Sequence, residues 1–317
     1  MFLKKNERQR EKSGKPKRRK MWKIIVTVML ITLGCFVGNL INEGNHGKGA
    51  LAFLCYLQNP GALAETQYSY QETAIEVANN GETIRGTLYV PDDNREAREI
   101  LIISHGFNCQ SALLANKAKS LAASGIATLI FDFRGGSLRG QSDGAFENMT
   151  YLTEISDLEC MMKKVKSYKW VDQSKIYLMG ESFGGLVSAL TAAQNPDVAG
   201  LILCFPALSS VDSARANFTS IDDIPDTLAV GKMSTGKEFW KTLYNLDVYN
   251  KIGNYKGRVI IMHGTKDQNV DPKYSIKANN VYKNSELFLI EGAGHGFGSK
   301  DAQSTLKTIY QFVTQKN

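Results

Sequence analysis

Apolar residues fall into two rhythms along this chain. Short unbroken runs such as Ile100-Leu101-Ile102-Ile103 are apolar at consecutive positions, so neither face is left for water. Such runs suit parallel strands covered on both sides. They predict strands over 99–104, 127–133, 175–179, 200–205, 258–262 and 286–290. Between them, spacing near 3.6 predicts helices around 111–124, 153–168, 183–194, 274–282 and 301–314. Strands alternating with helices imply an α/β chain with a mostly parallel, doubly wound sheet. Ahead of it, Thr73–Val77 and Thr83–Val90 flank Asn79-Asn80-Gly81, which reads as an antiparallel hairpin ended by Pro91. One stretch breaks the rhythm. No clear strand lies between Pro206 and Lys256, yet the stretch carries Phe239-Trp240 and Tyr244. An insertion with enough aromatics to pack reads as a lid over a site, at about 207–250.

The N-terminal pattern differs in kind. Residues 21–41 are apolar, without a charge from Ile24 to Val37, and are long enough for a transmembrane helix. Trp22 sits where an interfacial aromatic belongs. The basic tail over 1–20 predicts a cytoplasmic N-terminus and an extracellular catalytic domain on a single-pass anchor. Residues 42–68 read as a linker and 69–317 as the globular domain. Ala62-Leu63-Ala64 has the form of a signal-peptidase site, so secretion after cleavage near Ala64 is the competing outcome.

Charge follows this division. The chain of 317 residues is formally +7, but residues 1–48 hold 12 Lys and Arg against three Glu, a net +9 that leaves −2 for the rest. The basic balance is therefore no sign of nucleic acid binding. Cys35, Cys55, Cys109, Cys160 and Cys204 show no metal-ligand spacing and no disulfide framework. The three in the domain read as buried free thiols. Neither a cofactor nor a metal is implied.

The candidate chemistry centres on Gly180-Glu181-Ser182-Phe183-Gly184, between a strand and a helix. A serine on such a tight turn projects its hydroxyl from the sheet, and the glycines allow close approach. The helix start behind it offers free N–H groups for a developing oxyanion. His105-Gly106-Phe107, at another strand end, can bring the Phe107 N–H beside that of Phe183 as an oxyanion hole. Asp267 follows a strand by a short turn, whereas the nearby Asp271 has a sufficient explanation as a helix cap. Of His46, His105, His263 and His295, only His295 lies downstream of both Ser182 and Asp267. His105 and His263 precede glycines at strand ends and read as structural. The order Ser182, Asp267, His295 is the one used by Gly-x-Ser-x-Gly hydrolases of this sheet type.

Residues 70–317 resemble the α/β-hydrolase superfamily, and most nearly its bacterial cinnamoyl/feruloyl esterase-like group. The resemblance rests on His105-Gly106-Phe107, Phe131-Asp132-Phe133-Arg134-Gly135, Ser142-Asp143-Gly144, Ile224-Pro225 and His263-Gly264-Thr265-Lys266-Asp267. It implies a serine hydrolase that cleaves small-molecule or lipid-like carboxylic esters through an acyl-enzyme. Peptidase-like, lysophospholipase-like and acylglycerol-lipase-like relatives share most of these motifs. A serine peptidase, acyl transfer, and a non-catalytic binding module on the same fold stay open as alternatives. Glu181 and Phe183 stand where the cinnamoyl esterases more often carry His and Gln.

Overall fold

The computed structural model describes residues 62–230 and 233–315. The segment expected to span the membrane, the basic tail and His46 lie outside the described residues. Among those described, no helix is long and apolar enough to cross a membrane.

Among the described residues the first element is the expected hairpin, β1 (Tyr70–Asn79) and β2 (Glu82–Pro91), antiparallel and closed by Asn80 and Gly81. Both turn residues have positive φ, 51° and 82°, the combination for which Asn-Gly is suited. The alternating part follows: β3 (Arg98–Ser104), α1 (Ala115–Ala123), β4 (Ala127–Phe131), α2 (Tyr151–Lys166), β5 (Val171–Glu181), α3 (Phe183–Gln194) and β6 (Gly200–Cys204). After the insertion come β9 (Arg258–Gly264), α7 (Lys273–Val281), β10 (Ser285–Ile290) and α8 (Ser299–Thr314). The eight-stranded sheet has the order β1-β2-β4-β3-β5-β6-β9-β10. It is parallel from β4 onward, with β2 antiparallel to both β1 and β4.

The unbroken apolar runs explain how this sheet is held. In β3, Ile100 and Ile102 enter one core while Leu101 and Ile103 enter the other. In β5, Ile176 and Leu178 divide in the same way from Tyr177 and Met179. Each fully buried side chain of this kind stabilises the fold by about 1.5–3 kcal/mol.

The structure departs from the sequence-based expectation in three places. The insertion does contain strands: β7 (Thr227–Val230) and β8 (Met233–Gly236) form a separate two-stranded hairpin. Each is four residues long, too short to give a periodic signal. Around it lie α4 (Ser210–Asn217), α5 (Lys237–Tyr244) and α6 (Val248–Ile252). The end of the supposed linker belongs to the domain, because Leu63 is buried in a core and the Tyr68 N–H donates to the Ala123 carbonyl at 2.8 Å. Cys109 is disulfide-bonded rather than a free thiol. Cys160 and Cys204 are free.

A buried carboxyl under the loop after β4 makes a stability prediction. Glu154, in the first turn of α2, is almost fully buried and its Oε2 has no hydrogen-bond partner. Burial, reinforced by Asp157, pushes its carboxyl well above the usual range. The folded chain therefore keeps this proton while the unfolded chain releases it at about pH 4.3. The unfolded state binds fewer protons above that point, so this group costs stability as pH rises. Glu154→Gln should melt progressively higher than the wild type between pH 5 and pH 8. Parallel melting curves at all pH values would contradict this.

Candidate active site

At the end of β5 the chain must turn sharply into α3, and two glycines make the turn possible. A Cβ on Gly180 would lie 2.1 Å from the Gly184 carbonyl oxygen, and one on Gly184 would lie 2.3 Å from that of His105. Ser182, between them, has φ 52° and ψ −117°. Such a conformation costs on the order of 1–3 kcal/mol and needs support from its surroundings. The Ser182 N–H donates to the Cys204 carbonyl at 3.0 Å, and its own carbonyl accepts from Ala207 N at 2.8 Å. The elbow is thus fastened to the end of β6 and the loop that follows it. Phe183 opens α3, so its N–H has no partner within the helix.

His295 arrives on the loop after β10, between Gly292 and Gly296, both at positive φ. Its ring packs edge-on against Phe205, centroids 4.6 Å apart. Nε2 lies 3.0 Å from Ser182 Oγ and Nδ1 lies 2.7 Å from Asp267 Oδ2. A carboxylate can only accept, so Nδ1 carries the proton and Nε2 is free to accept from the serine hydroxyl.

Asp267 has no exposed side-chain surface. Its Oδ1 accepts from the backbone N–H groups of Asn269 at 2.8 Å and Val270 at 3.0 Å. Oδ2 faces His295 on one side and His263 Nε2, at 3.1 Å, on the other. Burial opposes the charge, but the hydrogen bonds from the two histidines and from Val270 outweigh it and hold the carboxyl far below its usual range. Asp271 stays at the surface, where it accepts from the Lys273 N–H at the start of α7.

His105 is also buried, and burial lowers its tendency to take a second proton. Its Nε2 accepts from the Phe133 N–H at 3.1 Å, so Nδ1 donates to the Gly106 carbonyl at 2.8 Å. The ring therefore braces the loop that carries Phe107. That loop lies against the elbow, since a Cβ on Gly106 would be 3.1 Å from Ser182 Cβ.

Three contributors escaped sequence reasoning. Phe239, on α5 of the insertion, meets Phe107 at 5.5 Å and Phe183 at 5.6 Å between centroids. Only the aromatic density of the insertion pointed to it. Lys117 on α1 pairs with Glu181 directly beneath the elbow, a contact that no sequence spacing announces. His263 was visible, but its approach to Asp267 depends on the turn after β9. Cys204 is no rival nucleophile, because burial drives its thiol up.

Among the described residues, no cluster of His, Cys, Asp and Glu could hold a metal ion. A cavity of about 340 Å³ is lined by Arg258, Glu286 and Phe312, at the N-terminal ends of β9 and β10, and contains none of these site residues.

Known proteins share parts of this chain. The sequence family described as serine aminopeptidase, S33 matches residues 95–231. An uncharacterised 31.7 kDa protein of Escherichia coli is 29% identical over 168 residues, which cover 50% of this chain and 56% of the relative. The chain thus spans little more than half the length of that relative. The uncharacterised peptidase YtmA of Bacillus subtilis is 21% identical over 75% of this chain and 91% of its own. Among solved structures, Est1E from Butyrivibrio proteoclasticus with ferulic acid bound superposes with a TM-score of 0.69. It is 27% identical and covers 75% of this chain and 97% of its own.

Proposed function

We propose that this chain, a member of the α/β-hydrolase superfamily, is a serine esterase that cleaves carboxylic esters with Ser182, His295 and Asp267. The observation that carries the reading is the unbroken contact from Ser182 Oγ through the His295 ring to Asp267 Oδ2, at 3.0 and 2.7 Å. Ser182 Oγ attacks the carbonyl carbon and gives its proton to His295 Nε2. Asp267 keeps the ring in the accepting tautomer and stabilises the imidazolium. The Phe107 and Phe183 N–H groups receive the oxyanion. His295 then protonates the departing alkoxide, leaving an acyl group on Ser182. Water attacks this ester with His295 as base, releasing the acid and restoring the hydroxyl.

The aromatic wall of Phe107, Phe183 and Phe239 supports an apolar acyl or aryl group beside the serine, with the insertion as its lid. The ferulic acid bound to Est1E is in keeping with that choice. A serine peptidase is the second reading, favoured by the aminopeptidase family match and by YtmA. The apolar segment over 21–41 is assigned as a membrane anchor with the domain outside. Leu63 supports an uncleaved chain, because cutting after Ala64 would separate a core residue from the domain. The disulfide at Cys109 suits an oxidising compartment.

The test uses the full chain in detergent with nitrophenyl acyl esters, methyl ferulate, a monoacylglycerol and aminoacyl nitroanilides. Methyl ferulate or the monoacylglycerol should turn over, while the aminoacyl nitroanilides should not. Faster cleavage of the nitroanilides would replace the esterase with the peptidase.

A further inference from the structure

His263 has no exposed surface and meets the same Asp267 oxygen, Oδ2, as His295. Its Nε2 lies 2.9 Å from the Val270 carbonyl oxygen and 3.1 Å from Asp267 Oδ2. Neither partner can donate, so Nε2 carries the proton and shares it between them. Nδ1 is then an acceptor, and Ser275 Oγ on α7, 2.7 Å away, donates to it. Ser275 is itself fully buried. The carboxylate therefore stands between two histidines, each with a serine on its outer nitrogen: Ser275–His263–Asp267–His295–Ser182.

From this geometry we propose that His263, held by Ser275, is a positioning residue that fixes the Asp267 carboxylate for His295 and limits how strongly that carboxylate draws the His295 proton. The proposal rests on the serine-hydrolase reading of the same site. Both effects follow from one contact. Oδ1 is tied to the Asn269 and Val270 N–H groups, and the His263 N–H fixes Oδ2, so the carboxylate cannot rotate away from His295. That N–H also presents its positive end to the oxygen His295 uses. Without it, more of the carboxylate charge would act on the His295 ring, and the imidazolium would form more easily.

The ionisable groups around this pair are few. Asp267 and Asp271 lie on the turn after β9, and Lys273 opens α7 beside Ser275. His295 comes from the loop after β10, and β10 offers the apolar Leu289 opposite His263. The Lys273 N–H holds the Asp271 carboxyl below its usual range. Asp271 is common to all variants below.

The test compares full-length wild type with His263→Leu, His263→Gln and Ser275→Ala. Gln places a donor near the position of Nε2, whereas Leu places none. In His263→Leu, kcat should fall by about 10–100-fold with KM within about two-fold, as for other lost residues that orient a catalytic ligand. The acid limb of the kcat/KM profile should move up by about half to one pH unit. Gln should restore most of both, and Ser275→Ala should move both in the Leu direction by less. The midpoint at which the His295 ring titrates, followed by carbon-13 NMR of its Cε1, should shift in the same way. That readout needs no turnover. An inactive wild type would sink the esterase reading, while the NMR midpoint would still decide the role of His263. Unchanged midpoints and acid limbs in all three variants, with only the melting temperature lowered, would make His263 merely structural and overturn the proposal. If the Leu variant does not fold, the Ser275→Ala midpoint decides in its place.

Discussion

Ser182→Ala is expected to lower kcat by about 10⁵–10⁶-fold, the loss seen when a serine nucleophile is removed from a cooperating triad. The size follows from what the hydroxyl does. No other group at the elbow can form the acyl bond: Cys204 is buried with its thiol driven up, and Glu181 is occupied by Lys117. The residual rate would come from the Phe107 and Phe183 N–H groups and from substrate binding alone. The substitution should leave the fold intact, because the Ser182 N–H and carbonyl make the contacts that fasten the elbow. Its melting temperature should match the wild type. A variant that keeps more than about one hundredth of the wild-type rate would show that Ser182 is not the nucleophile.

Asp267→Asn is expected to cost about 10³–10⁴ in kcat while changing KM little. The reason is specific to the contacts here. The Asn269 and Val270 N–H groups require an acceptor at the Oδ1 position. The amide nitrogen of the introduced asparagine must then take the Oδ2 position and point its hydrogens at His295. That turns His295 into the tautomer with its proton on Nε2, which cannot take the proton of Ser182. His263 loses an acceptor at the same time and keeps only the Val270 carbonyl. Stability should respond with the opposite slope to that of Glu154. The folded-state pKa of Asp267 is depressed, so its contribution is full above the unfolded value of about 3.9 and is lost as pH falls below it. The stability gap between wild type and Asp267→Asn should therefore shrink on acidification below about pH 4. Equal rates for the two proteins at pH 8 would rule out Asp267 as the residue that orients His295.

The sheet was legible because its strands are buried on both faces. A run such as Ile100–Ile103 suits a strand covered on both faces, and the observed strand boundaries lie close to those expected. The hairpin was legible through Asn80-Gly81, whose positive φ values few other pairs tolerate. The residues chosen for the site, Ser182, Asp267 and His295, come within hydrogen-bonding distance of one another. Chain order and the glycines around each were enough to select them. What stayed hidden depends on tertiary approach. The hairpin of β7 and β8 is too short for periodicity, and Leu63 looked like linker because no neighbouring residue repeats its burial. The Cys109 disulfide leaves no signature in spacing. His263 was assigned a structural role because its usefulness depends on the turn that folds Asp267 back against it.

The central claim is that Ser182 is an activated nucleophile, and covalent labelling tests it most directly. The full chain would be treated with a fluorophosphonate, digested, and the adduct located by mass spectrometry. A single adduct on Ser182, formed much more slowly in Asp267→Asn, is the predicted result. Folded, ester-cleaving protein with no adduct, or with the adduct on another residue, would contradict the account.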